Sequence, residues 1–330
     1  MKKIISLCSI ILLLHANLFA QNDNNNENEK KTKYEFVKTK SFSKSYNLGN
    51  DKVSIQNSFG KVEIKTWSKS EVKVDVAIET SSNVEASAQR ILDGINISSG
   101  SQGNETWFKT DNKGTSNNGK NERSSMSIDY IVYMPASNPL KISNEFGATI
   151  IPDFKGEVDL TSKFGKLKTG ALTNIKKLWV EFGSAEFESL SNANVTMKFS
   201  KGQFGKLAGD TKLNFEFCKP IQVNLDNSVT NLDIKASYST VNLRPVGDPS
   251  ASYIFNTSFG SFKNRTAIKF DGDDDEDDHG PKFDHKYNGR SGGGTIPVKI
   301  TSSFGKIVLG EPTAEDLKEK DKSKNKSKNA

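Results

Sequence analysis

The stretch that decides the fold is LKISNEFGATIIPDFKGEVDLTSKFGKLKTGALTNIKKLWVEFGS, residues 140–184. It carries Phe-Gly three times, at Phe146-Gly147, Phe164-Gly165 and Phe182-Gly183, each 18 residues apart. The dipeptide recurs at Phe59-Gly60, Phe259-Gly260 and Phe304-Gly305. Phe199-Ser200, Phe217-Cys218 and Tyr238-Ser239 fall in the same frame. Self-similarity at a fixed short period is the mark of a repeat architecture.

The frame is wider than the dipeptide. Four residues before the aromatic stand Ile55, Ile142, Leu160, Leu178, Val195, Leu213, Ile234, Phe255 and Ile300, all apolar. Six before stand Val53, Leu140, Val158, Leu232, Tyr253 and Val298. This period of two predicts a strand with one face buried. Three residues after the aromatic stand Val62, Leu167, Val241, Phe262 and Ile307, with misses at Thr149, Gly202 and Pro220. The buried parity therefore flips at the dipeptide. A glycine there suits a corner, because glycine adopts unusual dihedrals freely. Gly60, Gly147, Gly165, Gly183, Gly260 and Gly305 are expected as bend glycines.

A strand–bend–strand unit cannot bury its face alone, whereas stacked units share one core. The reading is all-β: a parallel β-solenoid (β-helix) of about 17–21-residue coils, right-handed by the general crossover rule. One aromatic per coil is expected to stack as an internal ladder: Phe146, Phe164, Phe182, Phe199, Phe217, Tyr238, Phe259 and Phe304. The residue before each aromatic must then face out. Glu145, Lys163, Glu181, Lys198 and Glu216 alternate in sign over five coils. In a parallel stack, that order sets opposite charges side by side.

Outside the coils, residues 34–137 are expected to form a β-rich cap holding the first repeat and one helix, 82–94. Ser82 to Glu85 spells a capping box, and Val84, Ala88, Ile91 and Leu92 share a helical face. Residues 71–79 alternate as a strand, and 95–98, 106–110 and 126–134 read as further strands. The coils occupy 138–312, interrupted by an acidic loop insert at about 270–294. Within it DGDDDEDD, residues 271–278, matches the first three calcium-ligand positions of an EF-hand. It fails at the sixth and twelfth, which are Glu276 and Lys282. Asp271, Asp273, Asp275 and Asp277 are thus weak candidates for nonspecific divalent-cation binding. His279 and His285 read as loop residues.

The chain begins with Lys2-Lys3, an apolar run Ile4 to Leu14, and Ala20 before Gln21. Residues 1–20 read as a cleaved signal peptide, too short to span a membrane comfortably. Residues 21–33 and the Lys-rich 313–330 are expected to be disordered, having almost no apolar side chains to repay ordering.

Composition narrows function. Lys and Arg number 46 against 40 acids, an excess too small and dispersed for nucleic acid. Beyond the leader only His279, His285 and Cys218 remain of the histidines and cysteines. An intrachain disulfide and a four-ligand Cys/His zinc site are excluded. No arginine occurs in 138–240, and no converging set of catalytic side chains emerges, so no enzyme activity and no cofactor are expected.

On NSFGKVEIKTWSKSEVKVDVAIE (57–79), IDYIVYMP (128–135) and the Phe-Gly coils that follow, the chain resembles the exported, adhesin-like family of β-strand-repeat proteins described as a domain of unknown function. The resemblance covers about 36–310, but neither the acidic insert nor the Lys-rich tail. It implies a β-helical protein outside the cytoplasm, in the periplasm, on the cell surface or secreted. The expected role is an adhesin-like scaffold binding an envelope glycan or protein, with no nucleic acid partner and no transmembrane span in the mature chain. A periplasmic envelope-stress or signalling partner is the alternative, and a polysaccharide-active enzyme the remotest. Lys61, Lys166, Lys201, Lys219 and Lys306, two residues after frame aromatics, could form a stripe that attracts anions.

Overall fold

The structure is a computed structural model that describes residues 34–113, 121–272 and 283–317. The leader, the spacer, residues 114–120, residues 273–282 of the acidic insert and the tail from 318 onward lie outside the described residues. The protein is all-β, and its sheet is mixed in strand direction.

The strand before each aromatic joins one sheet and the strand after it joins another. In the first sheet, Glu105–Asn112, Lys52–Ser58, Leu140–Glu145, Val158–Lys163, Ile175–Glu181 and Asn194–Lys198 pair in parallel. The ladder continues through the end of Lys201–Glu216, Val229–Ser237, Ile296–Ser303 and Ala251–Ser258. In the second sheet the parallel run is Ser124–Met134, Val62–Thr66, Thr149–Ile151, Lys166–Leu172, Ser184–Ser191 and the start of Lys201–Glu216. Ile221–Leu225, Thr240–Pro245, Lys306–Leu309 and Ser261–Asn264 complete it. Strand Lys201–Glu216 belongs to both sheets.

Antiparallel strands close the ends, so the fold departs from a wholly parallel stack. Phe36–Asn47 pairs with Glu71–Ser82, which pairs with Ser124–Met134. Ile95–Gln102 closes the first sheet at the same end. At the far end Asp284–Arg290 pairs antiparallel with Ala251–Ser258, and Phe270–Gly272 with Asp284–Arg290. Part of the expected acidic loop is therefore sheet, and His285 lies in a strand rather than a loop. The reason is apolar: Phe270 and Tyr287 pack on the core.

The core lies between the sheets. Every residue four before an aromatic is buried, from Ile55 to Ile300. The three misses after the aromatic have local explanations. Thr149 is buried despite its hydroxyl. At Gly202 a Cβ would lie 2.8 Å from Met197 Cε, so the methionine fills that place. Pro220 is one extra residue, and Ile221 takes the inward position opposite Gly202 and Val241.

Among the strands that precede the frame aromatics, spatial order departs from chain order at one place. Ile296–Ser303 lies between Val229–Ser237 and Ala251–Ser258, so the last coil in sequence is inserted before the preceding one.

The helix spans Glu85–Asp93 and buries Ala88, Ile91 and Leu92. Its expected capping box does not form. Val84 is the N-cap residue, and no side chain caps the helix there. Ser82 Oγ instead accepts from Val84 N–H at 3.1 Å, and Glu85 pairs with Lys38 Nζ at 2.6 Å. A true reciprocal box occurs at Thr313–Asp316, in residues assigned by composition to the tail. Asp316 Oδ2 accepts from Thr313 N–H at 3.0 Å, and Thr313 Oγ1 accepts from Asp316 N–H at 3.3 Å. The Asp316 side chain is fully buried against Lys263 and Arg265, each 3.1 Å away.

Candidate binding ridge and groove

The corner of each coil sets the site. Phe59, Phe146, Phe164, Phe182, Phe199, Phe217, Tyr238, Phe259 and Phe304 all have φ between +49° and +65°. The aromatic, not the glycine, takes the left-handed conformation. None of the six bend glycines has a positive φ. They are needed for clearance. A Cβ on Gly147 would sit 1.8 Å from the Gly60 carbonyl oxygen, on Gly165 2.0 Å from that of Gly147, and on Gly183 2.1 Å from that of Gly165. Gly60 and Gly305 meet carbonyls of the adjoining strand at 2.1 and 2.3 Å in the same way, and Gly260 meets Gly305 at 2.7 Å. Where the frame has Ser200 or Ser239, the hydroxyl is buried and accepts from the neighbouring coil's backbone, Gly183 N–H at 3.1 Å or Cys218 N–H at 2.9 Å. Cys218 is itself buried, which pushes its thiol pKa up.

One left-handed residue turns its side chain out of the corner. The aromatic ladder therefore forms on the outside, correcting the expectation of an internal one. The rings run Phe59, Phe146, Phe164, Phe182, Phe199, Phe217, Tyr238, Phe304, Phe259, Phe283 at centroid steps of 4.7–5.1 Å. All are face to face, and each is 37–54% exposed. Phe283 extends the ladder beyond the frame and is not at a left-handed corner. The nine steps make a ridge roughly 40 Å long, set by the strand spacing. Between the two end rings each ring's faces meet its neighbours, so ring edges point to solvent, and those edges carry the positive part of the aromatic quadrupole.

The two flanks of the ridge differ. On one side Glu145, Lys163, Glu181, Lys198 and Glu216 lie opposite one another in register. Lys163 meets Glu181 at 3.4 Å and Lys198 meets Glu216 at 2.8 Å, so this flank is largely neutralised. On the other side run Lys61, Lys166, Lys201, Lys219 and Lys306. Lys61 pairs with Glu63 and Lys166 with Glu186. Beside the last rings this flank opens into a groove of about 710 Å3, walled by Phe217, Tyr238, Phe304 and Phe259, with Lys219, Lys306 and Asp316 along it. The Thr313 backbone N–H and the Arg265 and Lys263 cations hold the Asp316 carboxyl well below the usual carboxylate range.

Of the candidate cation ligands, Asp271 sits exposed in the edge strand Phe270–Gly272. Asp273, Asp275 and Asp277 lie outside the described residues. Among the described residues no three Asp, Glu, His or Cys side chains gather as a metal site. No described helix is long and apolar enough to cross a membrane.

No family model matches the sequence, and no curated protein does. Solved structures do align with it. A "putative adhesin" from Bacteroides fragilis is 10% identical, with 82% of this chain and 97% of that chain covered and a TM-score of 0.44. A "putative lipid binding protein" from Parabacteroides distasonis is 11% identical over 84% of this chain and 98% of that one, TM-score 0.35. A "putative cell adhesion protein" from Clostridium sporogenes is 13% identical over 83% and 100%, TM-score 0.25. What this chain binds has to be argued from its own surface.

Proposed function

We propose that the protein is an exported, non-enzymatic β-solenoid scaffold that binds a glycan or protein at the cell envelope in an adhesin-like role. The supporting observation is the ridge: ten stacked, half-exposed rings beside an open groove. Soluble proteins rarely expose a contiguous apolar strip of this extent unless it meets a partner. The rings also hold a costly backbone conformation on the surface, and strain of that kind collects at functional positions. The parallel ladders make the ridge rigid, because each corner is fixed by hydrogen bonds from the coils on both sides.

Protease treatment of intact cells, with immunodetection of the chain, tests the reading. The lysines of the Asn/Lys-rich termini and of residues 111–125 supply the cleavage sites. Cleavage on intact cells supports a surface binder. Protection until the outer membrane is permeabilised places the protein in the periplasm, overturns adhesion as its direct role, and favours an envelope signalling partner.

A further inference from the structure

Along the ridge the rings cover one another's faces, and only the two end rings, Phe59 and Phe283, stack on one side alone. A sugar ring packs its C–H face on an aromatic face, so a glycan platform must be sought elsewhere. The chain has three tryptophans. Trp67 stacks on Tyr133, carries Lys69 over its ring at 4.8 Å, and donates from Nε1 to Glu71 O at 2.9 Å. Trp179 is covered by Lys177 and Lys198, and its Nε1 donates to Glu181 Oε2 at 3.3 Å. Trp107 differs on every count. Among the described residues no ring or cation lies on its indole, and its Nε1 donates no hydrogen bond.

Trp107 is held flat by a glycine. It faces Gly100 across an antiparallel pair, and a Cβ on Gly100 would lie 2.8 Å from Trp107 Cζ2. Only glycine lets the indole settle there. Its other neighbour in the row is Ser54, followed by Lys141, Asp159 and Lys177 on successive strands. The next row runs Lys109, Gln56, Ser143 and Thr161. Short residues between long ones hollow the sheet surface into a trough of about 540 Å3. That volume is within the usual range of small-ligand sites. Its floor offers hydroxyls and an amide, which both donate and accept. At its wall Glu105 takes hydrogen bonds from Ser54 Oγ and, at 3.2 Å, from Lys52 Nζ, which keep it an anionic acceptor.

We infer that this trough on the outer face of the first sheet is a binding site for an uncharged pyranose of a polysaccharide, with Trp107 as the stacking platform. The inference rests on the envelope-binding reading and names the ligand class and a site away from the ridge. An indole face takes up the apolar side of the sugar. The trough's lysines have acids beside them, Lys109 paired with Asp111 at 2.8 Å and Lys141 and Lys177 flanking Asp159, so the indole N–H and the floor of Ser143, Thr161 and Gln56 match a ring of hydroxyls rather than a single anion.

The test uses the full chain, titrated with neutral β-linked gluco-, manno- and galacto-hexaoses by calorimetry and tryptophan fluorescence, with polygalacturonate as the charged comparison. At least one neutral hexaose should bind. Trp107→Ala should weaken that binding at least tenfold, Trp107→Phe should weaken it less, and Gly100→Val, which displaces the indole, should weaken it severalfold. Thermal midpoints identify any variant that has merely unfolded, and Trp107→Phe, which keeps a flat ring, carries the test if Trp107→Ala has. Binding unchanged in the Trp107 variants, no binding of any neutral hexaose, or a preference for polygalacturonate would each overturn the inference. None of these outcomes touches the envelope-binding reading, which cell cleavage decides separately.

Discussion

Replacing Phe182 separates the two opposing terms at the ridge. Phe182 stacks on Phe164 at 5.0 Å and on Phe199 at 4.8 Å, with φ +52°. Each stacked pair is worth about 0.5–1.5 kcal/mol beyond area burial, so two give roughly 1–3. Covering about half the ring adds roughly 1 kcal/mol. Phe182→Ala should therefore cost about 2–4 kcal/mol, because alanine keeps the left-handed strain and loses the stack. Phe182→Gly loses the same stack but sheds strain of about 1–2 kcal/mol. Glycine's greater freedom in the unfolded chain takes back about 0.4–1. At the middle of these ranges the glycine variant should be the more stable of the two by about 0.8 kcal/mol. Urea unfolding, followed by both circular dichroism and tryptophan fluorescence, measures the difference; coincident transitions license a single free energy in a repeat protein. Equal midpoints for the two variants would refute the strain argument. An alanine variant as stable as the wild type would refute the stacking argument.

Two further outcomes follow from the charges. Glu181→Lys should lower the thermal midpoint more than Glu181→Ala, by the equivalent of about 1 kcal/mol, because it puts a third lysine between Lys163 and Lys198 where exposed opposite pairs are worth only about 0–1 kcal/mol; equal midpoints would count against the register. Asp316→Asn should cost about 1–3 kcal/mol through its charge-assisted hydrogen bonds. The Asp316 pKa is lowered in the folded state, so its contribution is complete above the unfolded value near 4 and fades as pH falls toward the folded one. The stability gap between wild type and Asp316→Asn should accordingly narrow from pH 6 to pH 2, and a gap that widens on acidification would contradict the sign.

Much of the strand pattern is legible in the sequence because it is redundant. Nine apolar residues at one offset and a parity flip at the same dipeptide leave few other arrangements. The inside–outside placement of the rings is not legible, because parity counting assumes extended backbone. One left-handed residue resets it and points its side chain outward. The dipeptide alone is no guide either: Phe204-Gly205 is also Phe-Gly, yet Phe204 is buried and its φ is ordinary. Coil order is written in the charges only where charges exist. Stacked in chain order, Glu145 to Glu216 alternate in sign, which excludes orders that set like charges side by side. Ser237, Ser303 and Ser258 are identical, so nothing at those positions tells which coil follows which, and the insertion of Ile296–Ser303 leaves no mark there. The trough is invisible for a different reason. Gly100, Trp107, Ser54 and Lys141 meet only through pairings between strands far apart in sequence.

Parallel stacking explains why the surface of this chain is organised in rows. Residues at one offset repeat every strand spacing, about 4.8 Å, so a choice made once per coil becomes a line across the molecule. Aromatics at the corner become the ridge, lysines two residues on become one flank, and alternating acids and lysines become the other. A line of similar groups suits an extended ligand that repeats, since each added unit meets the same chemistry without a further ordering cost for the rigid sheet. It suits a compact substrate poorly, because catalysis needs unlike groups converging on one point. The irregular end of the molecule supplies what rows cannot. There the hairpin of Ile95–Gln102 and Glu105–Asn112 adds an indole beside the row of small polar residues. The trough at Trp107 is where an indole lying flat against Gly100 meets those rows.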